Sequence, residues 1–285
     1  MRWAYYFWGC MLVVCLRFAL HAQDTTDRSP ADTVSANATK AAEFAAAEAK
    51  RYEMRYADRS GDVLELVAEP VLRWSNPTSG EVHGSVVLWT SDGCPEAAAS
   101  IYEMFTLKQI NIELVSLSEF PLKANRNGRV RWAPEAGVKF VPLPDGPAAA
   151  ASAGRRQLQM RSLARRFTGA LADRGDDVTL SELRLMNRPL HSYESSDGTR
   201  DGAVFALVNT TDPEILLIIE SRKADSGREW VYAAARMHYC RLQMKLGDKV
   251  VWEVPQAAPP WDEIRGPKGQ YVILEWHSEE EAAKD

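Results

Sequence analysis

The sequence predicts an α+β fold of two pseudo-repeated units, each one amphipathic helix packed on an antiparallel β-meander in a roll-like arrangement. Three observations predict it. The stretch GAVFALVNTTDPEILLIIES at 202–221 is echoed by GSVVLWTSDGCPEAAASIYE at 84–103, so that Gly202, Val204, Pro213, Glu214 and Ile219 fall on Gly84, Val86, Pro95, Glu96 and Ile101. Each copy is preceded by helix-forming sequence with apolar residues at helical spacing, after which the period becomes strand-like. Two-residue turn signals, Asn127-Gly128 and Gly247-Asp248, follow each copy at matching places.

Weaker matches keep their order on both sides, as expected of a duplicated unit whose insertions fall in loops. EPVLRWS (69–75) faces RPLHSYE (188–194), setting Trp74 on Tyr193; NGRVRWAP (127–134) faces GDKVVWEVP (247–255), setting Trp132 on Trp252. GVKFVPLP (137–144) faces GQYVILEW (269–276).

In chain order, residues 1–22 carry Arg2, an apolar run from Trp3 to Leu20 and an Ala-terminated site at Ala22, the pattern of a cleaved secretory leader. Arg17 interrupts the run and polar sequence follows, which argues against a retained transmembrane helix. Residues 23–38 have little to bury and read as a disordered lead-in. The first unit spans 39–145 and opens on a helix whose face holds Ala41, Phe44, Ala45, Ala49, Tyr52 and Tyr56, stopped by Ser60-Gly61-Asp62. Strands follow at 63–68 and 70–75, broken by a proline suited to an edge or bulge, and at 85–90. EAAASIYEMF alone is compatible with helix, but its counterpart EILLIIES is too β-branched, so both are assigned as strands. A hairpin at 113–123 and 129–132 and a closing strand near 138–143 complete the unit.

Residues 146–154 have linker composition. The second unit, 155–277, opens on RRQLQMRSLARRFTGALADR, with Met160, Leu163, Ala164, Phe167, Ala170 and Leu171 on one stripe and arginines around it. Its hairpin spans 230–245 and 249–254, and a last strand closes it near 270–277. Residues 278–285 read as a solvated acidic tail.

Composition bounds the function. Hydrophobic content of 46% with 26% charged residues is that of a globular chain. Removal of the leader leaves 32 basic against 39 acidic residues, a formal charge of −7, which disfavours a general nucleic-acid partner. It also leaves two cysteines, Cys94 and Cys240, a disulfide candidate in an oxidising compartment, with two buried free thiols as the alternative. The basic helix of the second unit is either an anion- or membrane-binding face or a packed helix with solvated arginines.

No pair among His83, His191, His238 and His277 has metal-ligand spacing, and there is no CxxC, so no metal is expected. GxSxG, GxxxxGK[ST] and GxGxxG are absent, so no nucleophile elbow or nucleotide cofactor site is expected. Glu96 and Glu214 occupy the same place in both units, directly after a proline. They read either as a symmetric functional pair or as residues that start a strand at its solvent edge. Trp261, in APPWDEIRGP, reads as the exposed aromatic best suited to anchor a partner.

Across most of residues 65–255, at VLRWSNPTSGEVHGSVVLWTSDGCPEAAASIY and RPLHSYESSDGTRDGAVFALVNTTDPEILLIIESR, the chain resembles a set of uncharacterised exported proteins of planctomycete bacteria. The resemblance implies an exported setting and no particular activity, cofactor or partner. At the level of fold, the units are also similar to hotdog and cystatin-like rolls. Two functions are therefore expected: a non-catalytic exported protein that binds a small molecule or another envelope protein, or an enzyme resembling a double hotdog that acts on a small acyl substrate between the units.

Overall fold

A computed structural model describes residues 30–59, 62–173, 176–225, 227–259 and 261–285; the expected leader and residues 23–29 of the lead-in lie outside them. α1 (Pro30–Ala49) leads into β1 (Tyr52–Tyr56), β2 (Glu65–Leu66) and β3 (Leu72–Ser75). After a 3-10 turn come β4 (Val82–Ser91), β5 (Cys94–Met104), β6 (Gln109–Ser116), β7 (Leu122–Arg126), β8 (Arg129–Trp132) and β9 (Val141–Pro142). The chain continues through α2 (Ala153–Ala164), β10 (Phe167–Asp173), β11 (Asp176–Leu185), β12 (His191–Glu194), β13 (Arg200–Asn209), β14 (Asp212–Ala224), β15 (Gly227–Arg236), β16 (Leu242–Leu246) and β17 (Lys249–Val254). α3 (Asp262–Arg265), β18 (Tyr271–Trp276) and α4 (Glu279–Lys284) end it. The fold is α+β, with antiparallel sheets.

The six-stranded sheet has the order β18-β6-β5-β4-β2 with β3 also on β4; β1-β7-β8 form a small sheet; the third has the order β17-β16-β10-β11-β13-β14-β15-β9 with β12 also on β13. Both halves follow one pairing order, in which the strand after the helix pairs with the first arm of the late hairpin, β1 with β7 and β10 with β16. The closing strands behave differently from expectation. β9 pairs with β15 of the second half, and β18 pairs with β6 of the first, so each half receives its last strand from the other.

Period-two alternation sorts the core into layers. Val87 and Trp89 of β4 and Ala97, Ala99 and Ile101 of β5 pack with Ala45 and Ala49 of α1. The opposite faces of these strands give Leu88 and Ala98, which meet Val204 and Ala206 of β13, Leu216 and Ile218 of β14 and Ala233 of β15 across the space between the sheets. The far side of that second sheet, with Phe205, Leu207, Leu217 and Ile219, takes Met160, Leu163 and Ala164 of α2. The layers thus run helix, sheet, sheet, helix, each burying one apolar face against the next.

Several expected boundaries move. α1 begins at Pro30, inside the expected lead-in, because proline suits the first helical turn. Both helices end earlier than their apolar spacing suggested. Tyr52 and Tyr56 belong to β1, and Phe167, Ala170 and Leu171 to β10, where aromatic and alternating residues favour extended backbone. The segment 146–154 is tied down: the Trp230 indole donates to Pro147 O, and the Arg156 guanidinium donates to Ala150 O and Ala151 O. The acidic end is the helix α4, capped by Ser278 and inserting Ala282 into the core beneath α1. Around α2, Arg156 is buried against Asp201, while Arg155, Arg161 and Arg165 are exposed. Among the described residues no helix is long and apolar enough to cross a membrane.

Candidate functional site

The hairpins β4–β5 and β13–β14 place Glu96 and Glu214 in one geometry. In the first, Thr90 pairs with Pro95 and Trp89 with Ala97, leaving Glu96 as the extra residue of a bulge. In the second, Val208 pairs with Pro213 and Leu207 with Ile215, leaving Glu214 as the extra residue. A bulge re-aims the side chain it frees. Glu96 is 3% exposed and Glu214 2%, so neither starts a strand at a solvent edge as one reading expected. Both lie on strand faces whose next alternate residues, Ala98 and Leu216, enter the space between the sheets.

An aromatic ring covers a glycine beside each site. Trp74 pairs with Gly84 and Tyr193 with Gly202, and a Cβ on either glycine would lie 2.4 Å from the ring. That is closer than real side chains come, so only glycine admits the rings. The Trp74 indole donates to Ser100 Oγ at 3.1 Å, and the Tyr193 hydroxyl to Glu220 Oε1 at 2.6 Å.

Around Glu96 the space is filled. Arg200 Nη1 lies 3.4 Å from Glu96 Oε1, while its Nη2 donates to Glu220 Oε1 at 2.6 Å. Arg222 Nε donates to Glu220 Oε2 at 2.6 Å and Nη2 pairs with Glu119 at 2.8 Å. Burial would raise the Glu220 pKa, but the bonds from Arg200, the charges of Arg200 and Arg222 and the Tyr193 hydroxyl outweigh it and hold the carboxyl below its ordinary range. At Glu96 burial wins over Ser118, Arg200 and Tyr56, and the pKa is raised.

Beside Glu214 the described residues outline a cavity of about 200 Å³, walled by Trp74, Tyr102 and Tyr239. Among the described residues lining it, Glu113, Asp173, Asp212 and Glu214 carry carboxyl groups, and none is Lys or Arg. Glu113, 5% exposed, accepts a hydrogen bond from the Tyr102 hydroxyl at 3.1 Å. Burial, reinforced by the charge of Asp212, pushes its pKa up to about 8, against the opposing pull of Tyr271, Tyr102 and Arg236. Asn76 donates to Asp212 at 3.1 Å, and the Cys240 N–H donates to His238 Nδ1 at 3.0 Å, which leaves the neutral ring's proton on Nε2. The site thus offers a carboxylic acid protonated at neutral pH, further carboxyl groups and aromatic faces.

The other residues expected at a site are distributed differently. Trp261 is half-buried, not a projecting anchor: it takes left-handed backbone (φ 71°) at the start of α3 and sets its ring edge-on to Tyr239 at 5.8 Å. This is a costly conformation for a bulky residue, held by the packing around it. Trp261 lines a second cavity of about 280 Å³ that shares Tyr102, Met104 and Tyr239 with the first. Cys94 and Cys240 are buried free thiols and form no bridge, with burial pushing the Cys94 thiol up to about 11. Among the described residues no three His, Cys, Asp or Glu are grouped to hold a metal ion.

Sequence reasoning missed Glu113, Asp212, Tyr102 and His238, which come from separate elements, and also the two arginines. A signal for the arginines exists. Extending the internal match by two residues upstream and one downstream sets Val82 on Arg200 and Met104 on Arg222, the pairs that terminate the two hairpins. No protein-family model, curated protein or solved structure matches the chain.

Proposed function

We propose that the chain is an exported, non-catalytic binding protein, made by duplication of one unit, that holds a small ligand in the cavity at Glu214. One observation carries the reading. Two carboxylates stand at the same bulge of two like-paired hairpins, and one is packed against Arg200 while the other faces an aromatic-walled cavity. Duplication is supported by the shared pairing order, by the bulges at Glu96 and Glu214, and by the glycines beneath Trp74 and Tyr193. Export, and membership of the planctomycete set, rest on the leader-like residues 1–22 and on the sequence resemblance.

Native mass spectrometry of the mature chain, purified gently from its own envelope fraction, tests this reading. A reproducible mass excess from a retained small molecule, lost when Glu214 is replaced by Gln, is the expected result. A bare chain in complex with another protein would move the function to an envelope-associated interaction surface.

A second reading, an enzyme acting on a small acyl substrate between the halves, has one observation in its favour. Glu113 and Glu214 line the same cavity, and an acid with a pKa of about 8 beside a second carboxyl group is an arrangement used for proton transfer. Glu96, the other candidate, is committed to Arg200. Hydrolysis of simple acyl esters abolished by Glu113→Gln would favour this reading.

A further inference from the structure

We propose that Arg236 anchors a second binding site, separate from the Glu214 cavity, that takes a small monocarboxylate carrying a short apolar group.

Two breaks in the surrounding structure make the site. The first is in charge. Arg126 pairs with Glu48, Arg200 with Glu220, and Arg222 with Glu119 and Glu220. At each of these arginines burial would lower the pKa, but the bonds and charge of the acids raise it. At Arg236 burial wins and the pKa is lowered. Its Nε donates to His238 O at 2.8 Å and its Nη2 to Cys240 O at 3.1 Å, acceptors that fix the guanidinium without neutralising it. The Tyr271 ring lies beneath it, 5.2 Å away. Among the described residues no carboxylate reaches Arg236 by hydrogen bond or ion pair. Glu113 and Glu263 act on it at longer range, and Glu113, with a pKa of about 8, is mostly protonated at neutral pH. The remaining nitrogen, Nη1, makes no hydrogen bond and is not closed off from solvent.

The second break is in strand pairing. β9 meets β15 at Val231 and Tyr232. Before β9 the chain runs elsewhere, with the Gly137 and Val138 N–H groups donating to Ser118 O. On the other side of β15 the Met237 N–H donates to Glu214 O, so by strand alternation the N–H groups of Ala234 and Arg236 face the edge that β9 leaves unpaired. A cavity of about 310 Å³ is lined by both sides of this gap, Gly137 on one and Ala234, Ala235 and Arg236 on the other. Val115, Trp252, Val254 and Tyr271 give it apolar walls.

A carboxylate matches these donors. A guanidinium binds its two oxygens as a planar pair, and a strand N–H beside it adds a further bond. Arg236 is already partly desolvated, which strengthens the attraction to an incoming anion. The apolar walls call for a hydrocarbon group on the acid, and the volume keeps that group short. Glu263, exposed in α3, lines the same cavity and repels a second negative charge, which selects monocarboxylates over dicarboxylates.

The test is calorimetric titration of the full chain at pH 7 with isovalerate, isovaleramide, isopentylamine and methylsuccinate. Saturable binding of isovalerate at millimolar concentration or tighter is expected, with the amide and the dicarboxylate at least tenfold weaker and the amine not bound. Arg236→Met should abolish isovalerate binding. Val254→Trp, at a half-buried position of the edge strand β17, fills the cavity and should also abolish it, which keeps the test decisive if Arg236→Met folds poorly. Glu263→Gln should tighten isovalerate binding roughly twofold and narrow the gap to methylsuccinate. Isovalerate binding that survives undiminished in folded Arg236→Met or Val254→Trp chains overturns the proposal. Binding of the amide or the amine as tight as that of the acid overturns it too, as does the absence of isovalerate binding to the parent chain; none of these outcomes touches the reading of the Glu214 cavity.

Discussion

Glu113 shows how one buried carboxyl couples this fold to pH. Its folded pKa is about 8, against an ordinary value of 4.5, so the native chain holds a proton that the unfolded chain has released across that window. The stabilisation linked to that proton is fully present below about pH 4.5 and is lost as pH rises to about 8. Glu96, also raised, acts in the same direction; Glu220, held low by its arginines, acts in the opposite one at acid pH. Glu113→Gln keeps an acceptor for the Tyr102 hydroxyl and removes the titration. Urea unfolding at pH 5 and pH 8 should show the parent chain losing roughly 2–4 kcal/mol more than the variant over that interval. Equal losses would mean that Glu113 is already ionised at neutral pH in the folded protein.

At the scale of elements, the two halves solve one packing problem with different chemistry. The first pair of the β1–β7 ladder is Tyr52 with Arg126, and that of β10–β16 is Phe167 with Leu246. Arg126 is 0% exposed and binds Glu48 near the end of α1 at 2.5 and 3.1 Å. Counting back from the strand, Leu163 of α2 takes the place of Glu48, so an ion pair in one half stands where two leucines pack in the other. A buried ion pair costs desolvation that apolar packing avoids, whereas a single buried charge left unpaired costs most of all. Glu48→Leu alone should therefore destabilise the chain by about 3–5 kcal/mol, and Glu48→Leu with Arg126→Leu should recover most of that loss, as read from denaturant midpoints. A double variant as unstable as the single one would show that the Arg126 contacts to Ala282 O and the Trp276 ring matter more than its charge.

The same elements show what the sequence could reveal. The hairpins were legible because the Asn127-Gly128 turn and the paired Pro-Glu steps are local signals. The strands β1 and β10 were not, because Tyr52 and Tyr56, or Phe167 and Leu171, are spaced by four residues and continue a helical stripe as well as they alternate along a strand. Both halves mislead at the same place for the same reason. The fate of the last eight residues was hidden because Ala282 is small and stands among charges, and its burial is decided by what lies beneath α1. The cavity was half legible. Glu214 was marked by its place after Pro213, but Glu113 and His238 meet it only through packing between elements, which a linear pattern does not encode.

For the whole molecule, the exchange of closing strands decides whether the halves are separable. β18 completes the edge of the first sheet through six paired residues, Tyr271 to Trp276, and sends Val272 and Trp276 into the core beneath α1. β9 pairs with β15, and the Leu143 N–H beside it donates to Trp230 O at 2.8 Å. Removing either half would expose an unpaired strand edge and an apolar sheet face to water together. Cutting the covalent connection should cost far less, because every exchanged contact survives it. A protease site at Ala151-Ser152, both exposed, should therefore yield a nicked chain that migrates as one particle in gel filtration and melts in a single transition. Residues 30–145 and 155–285 expressed alone should be aggregation-prone, and expressed together should assemble. Nicked halves that separate without denaturant, or melt in two transitions, would show that each half carries its own complete core and that the exchanged strands only decorate it.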